Sequence, residues 1–161
     1  MIDKNVIELL IKRGFRFIGC NQPDIGIFFK PESPTDLDVC ILASFTDGHI
    51  YSSLHLTNIY EEVERKFIFN GYRNINCHFI VFTDNMDRDR ILADSNLSIW
   101  LVDTLMNRII IYENQPEDFQ SLRSELENII STPQKKPKKK PAFIPFMTIA
   151  LIAINVIVFI I

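Results

Sequence analysis

Ile75-Asn76-Cys77-His78-Phe79-Ile80-Val81-Phe82-Thr83 is a nearly continuous apolar run of strand length. A strand with one wet face alternates apolar and polar residues. This stretch does not, and so predicts a central strand covered on both sides. Upstream of it, Leu56, Ile59, Tyr60, Val63 and Phe67 recur at the helical period with Glu61, Glu62, Glu64, Arg65 and Lys66 between them, which predicts a helix with one face on the sheet. Further upstream, Phe15–Cys20, Ile25–Lys30 and Leu37–Phe45 are β-rich runs, the first two separated by the turn-like Asn21-Gln22-Pro23-Asp24. Residues 3–13 predict a short amphipathic helix with Val6, Leu9, Leu10 and Arg13 on one face, Asp3 or Asn5 as cap and Gly14 as stop.

Downstream, Asp84–Asp94 is charged and predicts a loop or one or two helical turns. Leu97–Asp103 and Arg108–Glu113 predict a second hairpin across Thr104-Leu105-Met106-Asn107. Pro116 is expected to open a last helix, with Glu117 and Asp118 at its positive end and Phe119, Leu122, Leu126, Ile129 and Ile130 on its buried face. The expected architecture is α+β: a mixed sheet with two or three packing helices in residues 1–132, then a flexible linker and one transmembrane helix.

All 20 acidic residues precede Pro133, while five of the 17 basic ones follow it. Residues 1–132 therefore set twelve cations against twenty anions, a net charge of −8. A field of that sign repels phosphate backbones and excludes nucleic acid as a partner. Cys20, Cys40 and Cys77 are widely spaced, without a C-x-x-C pair, and read as reduced cytosolic thiols packed as small hydrophobes.

Residues 133–142 are rich in Lys and Pro and predict an extended, solvated tether. Residues 143–161 follow without a charge, and only Pro145, Thr148 and Asn155 interrupt the apolar run. As a helix rising about 1.5 Å per residue, this segment nearly crosses a hydrocarbon core of about 30 Å, which makes the lipid bilayer a partner. Lys135, Lys136, Lys138, Lys139 and Lys140 on its N-terminal flank orient it with residues 1–132 in the cytoplasm. An amide in hydrocarbon needs a partner, and Thr148 lies seven residues before Asn155 on the same helical face. That face is expected to pack on further transmembrane helices.

The run from Pro145 to Ile160, with Ile154-Asn155-Val156 at its centre, resembles the first transmembrane helix of rhomboid intramembrane serine proteases. Ile99-Trp100-Leu101-Val102-Asp103 and Ile109-Ile110-Ile111-Tyr112-Glu113-Asn114-Gln115, leading to Asp118-Phe119, resemble the N-terminal cytosolic domain of some rhomboids of Gram-positive bacteria. The resemblance implies a bacterial plasma-membrane serine endopeptidase that cleaves membrane-protein substrates, with residues 1–132 as its regulatory or adaptor domain. That chemistry needs a Ser in a Gly-x-Ser-x motif on one later helix and a His on another. None of Ser44, Ser52, Ser53, Ser95 or Ser98 has that setting, so no catalytic residue is assigned in this chain.

The helix–strands–helix–strand order also suggests a nuclease-like core, in which a Pro-Asp and an acid-x-Lys triplet hold a divalent metal. Pro23-Asp24 is present, but the nearby triplet is Phe28-Phe29-Lys30, so the second carboxylate needed to bind metal and activate water is missing. Asp84, Asp87 and Asp89 invite a Ca²⁺ loop, but Met86 and Ile91 occupy ligand positions, and a capped helix start with internal ion pairs fits better. His49, His55 and His78 lack ligand spacing, and His78 in the central strand reads as structural. No metal site and no cofactor is expected, and binding is the expected role. The alternatives are a tail-anchored interaction protein complete as given and a divalent-metal-sensing domain.

Overall fold

The computed structural model describes residues 2–19, 22, 24–45, 52–90, 92 and 95–132. Helix α1 (Lys4–Lys12) starts where Asp3 accepts the Asn5 N–H at 2.8 Å. It ends at Gly14, whose φ of +91° lets Phe15 N–H turn back to the Leu10 carbonyl. Strands β1 (Arg16–Ile18), β2 (Ile25–Pro31) and β3 (Asp36–Phe45) follow as an antiparallel meander. Helix α2 (Ser53–Phe69), capped by Ser52, crosses to β4 (Asn74–Thr83), which lies parallel to β3. A single turn, α3 (Met86–Asp89), leads to β5 (Ser98–Asp103), parallel to β4. The antiparallel β6 (Arg108–Ile110) and helix α4 (Arg123–Ser131) complete the described fold.

The sheet is mixed and runs β1-β2-β3-β4-β5-β6. Its middle strands are buried on both faces, and β4 feeds two separate cores. Cys77, Phe79 and Val81 pack with Ile41, Phe45, Leu56 and Ile99 on the α2 side. Ile80 and Phe82 pack with Leu10, Phe28, Trp100 and Leu126 on the α1 and α4 side. Each such side chain, fully buried, contributes about 1.5–3 kcal/mol. The central strand over residues 75–83 is therefore where the apolar run placed it.

The expected helices need correction. There are four among the described residues and not two or three, because Asn85 accepts the Arg88 N–H at 3.0 Å and organises α3 as an extra turn. No helix of the described residues is long and apolar enough to cross a membrane, and the expected span over 143–161 lies outside them. The last helix begins at Arg123 instead of Pro116. The Pro116 carbonyl accepts the Trp100 indole N–H at 2.7 Å, and the Gln115 side chain accepts the Ile99 N–H at 2.6 Å. These bonds hold the segment against β5 as a loop, and Gln120 and Ser121 turn it at φ of 54° and 55°.

Candidate functional site

Period-two alternation at the start of β3 and β4 puts a polar row on the α1 and α4 face. The register sets Asp36 beside Asn74, Asp38 beside Asn76, and His78 beside Ser98. Lys30, opposite Asp38 on β2, completes the row. Asn74 donates to Asp36 at 2.6 Å and Asn76 to Asp38 at 2.9 Å. The strained loop delivers Gln120, which donates to the other oxygen of Asp38 and accepts from Lys30 at 3.3 Å. Lys30 also pairs with Glu32 at 2.5 Å.

Burial raises the Asp38 carboxyl above its ordinary range, partly opposed by the bond from Asn76. The bond and charge of Lys30 lower Glu32, and the bonds from Ser33 and Asn74 lower Asp36. Both oxygens of Asp38 are thus engaged by neighbouring amides. Lys30 does sit beside a carboxylate, but on the adjacent strand, while Phe28, at the position of the missing second acid, is wholly buried in the core. Among the described residues no three His, Cys, Asp or Glu side chains gather where they could hold a metal ion. The apolar runs that mark β3 and β4 in the sequence start at Leu37 and Ile75, after the first polar residues of the row; the alternation Asp36-x-Asp38 and Asn74-x-Asn76-x-His78 carries its signal.

At the opposite end of the parallel strands, Asp89 is buried. It receives the Arg88 guanidinium in a fork of two 2.7 Å bonds and the Thr83 hydroxyl as a third donor. Arg88 also donates to the Phe45 carbonyl at 3.1 Å and lies 3.7 Å from Asp84. Asp84 and Asp89 thus serve an ion-paired turn that ties the ends of β3 and β4 together. Replacing Arg88 with Met strands a buried carboxylate and is expected to cost about 3 kcal/mol in urea unfolding. An unchanged midpoint would show that the fork carries no stability.

Cys40 and Cys77 are buried and free, and burial pushes both thiols up, Cys77 to about 12. Neither has thiolate character to offer a ligand or substrate. His55 faces Gln22 at 3.3 Å, and His78 is enclosed by Trp100 and Phe119. Cys20, His49, Lys135, Lys136, Lys138, Lys139, Lys140, Thr148 and Asn155 lie outside the described residues.

Among the described residues a groove of about 680 Å³ lies between α2 and the β1–β2 edge. Ile18, Ile27, Ile59, Val63, Phe67 and Phe69 line it. No family model, curated protein or solved structure matches this chain. The apolar groove and the internally paired polar clusters therefore stand by themselves as evidence of what the domain does.

Proposed function

We propose that residues 1–132 are a cytosolic binding domain displayed at a bacterial plasma membrane. In this reading it is the regulatory or substrate-adaptor part of a rhomboid-like intramembrane serine protease. The observation that carries the binding role is the groove between α2 and the β1–β2 edge, where an apolar surface stays open while the polar clusters satisfy one another. The membrane setting is supported by the uncharged sequence 143–161 behind its five lysines, and the protease by the likeness of Pro145–Ile160 to a rhomboid first helix.

Reading the gene downstream of the Ile161 codon tests the protease. A frame that continues into further apolar spans bearing a Gly-x-Ser and a His is the expected result. A native stop codon directly after Ile161 would sink the protease reading and leave the binding domain as an anchored interaction protein.

A further inference from the structure

We propose that the β1 edge of the domain, together with the last turn of α2, docks onto the surface of an anionic phospholipid bilayer. The inference deepens the membrane reading above and rests on it. Strand β1 is the sheet edge and carries Phe17, 57% exposed, toward the α1 side and Ile18, 36% exposed, toward the α2 side, where the end of α2 adds Phe69 at 90%. Ile18 and Phe69 line one groove. Apolar side chains at this density gain little in water and are suited to the boundary between headgroups and acyl chains.

Charge decides which occupant fits. In a domain of net charge −8, Arg16 lies on β1 and Arg65 lines the groove, whose acid, Glu62, is held by Lys66 at 2.7 Å. Among the described residues Arg16 forms no ion pair. A cationic rim around exposed aromatic and aliphatic groups complements an anionic lipid surface, whereas a second copy docking through the same face would set cation against cation.

The exit of the chain points the same way. Thr132 and Ile129 share a hollow with Asn5 at the start of α1. Ile2, just before that helix, reaches Gly26 beside Phe17. Lys135 follows three residues after Thr132, at most about 11 Å along the chain.

Both core clusters lie inside residues 2–132, so residues 1–132 can be tested alone. They should float with vesicles of equimolar phosphatidylcholine and phosphatidylglycerol, bind phosphatidylcholine alone weakly, and be released by salt. Arg16→Gln combined with Arg65→Gln should lower partitioning more than tenfold, at about fivefold per cation, and Phe69→Ser severalfold. These positions are exposed, so the variants should keep the parent's melting temperature.

Absence of vesicle binding by residues 1–132 overturns the proposal, and so does binding unchanged by these substitutions. A dimer in solution that Phe69→Ser dissolves would make a second copy the occupant and also overturn it. If the full chain still fractionates with membranes while residues 1–132 do not float, the docking surface fails alone and the membrane reading stands. If the full chain stays in the soluble fraction, the membrane reading fails, whatever residues 1–132 do with vesicles.

Discussion

Acidification from pH 7 to pH 4 is expected to remove about 3 kcal/mol of folding stability through His78 alone. The ring is fully buried, with its edge toward Trp100 at 4.4 Å between centroids and its face stacked on Phe119 at 4.9 Å. Nδ1 meets the Ser98 hydroxyl at 2.5 Å, while Nε2 finds no hydrogen-bond partner among the described residues. The tautomer of least cost donates from Nδ1, since an unpaired lone pair is cheaper to bury than an unpaired N–H.

Burial pushes the pKa down from 6.5 to about 3. The unfolded chain takes its proton near 6.5 and the folded one refuses it until about 3. The stabilisation is present above 6.5 and is lost as pH falls toward 3, about 5 kcal/mol in full. Asp38, whose carboxyl is raised, acts in the opposite sense and favours the folded state as pH falls. Urea unfolding of residues 1–132 at the two pH values, with His78→Phe beside the parent, measures the difference. An equal acid loss in both proteins would remove His78 as its cause.

Truncation of Trp100 to Ala is expected to cost about 4 kcal/mol, read from the same urea curves. Its side chain is among the largest of those fully buried, fills the core under α1 and α4, and holds the Pro116 carbonyl through its indole N–H. Trp100→Phe keeps most of the volume and loses that bond, so it should cost clearly less than Ala. Loss of the bond should also loosen the loop over the polar row, because Gln120 reaches Asp38 only while that loop is held down. Hydrogen exchange at residues 115–122 in Trp100→Phe checks this. A Trp100→Ala protein with an unshifted midpoint would mean that this core is not organised as described.

The elements that could be read from the sequence are those whose own residues decide their state. The helical period around Val63 and Phe67 marked α2, and the unbroken run from Phe79 to Phe82 marked the buried strand. Asp3 and Gly14 bracketed α1 by local capping chemistry. Leu122, Leu126 and Ile130 were legible as buried, but the conformation of 116–122 was not. Pro116 and its acidic neighbours favour a helix start, and that preference loses to bonds from Ile99 and Trp100, which are distant in sequence.

The polar row failed to show for a related reason. Lys30, Asp38, Asn76 and Gln120 come from three strands and a loop, and only strand register makes them neighbours. The groove did not show because its walls, Ile18 and Ile27 from the sheet and Ile59 and Phe69 from α2, come together only in the fold.

The strand order has a consequence for how the chain is made. Every strand lies beside the one that precedes it in sequence, so none has to be inserted later between two that are already paired. A chain leaving the ribosome at roughly 5–20 residues per second can add each strand to a sheet whose growing edge is the last strand synthesised. The slowest closure is the parallel pairing of β3 with β4, because α2 must form and fold over between them. Once α4 has covered Trp100, the two cores of the described residues are closed.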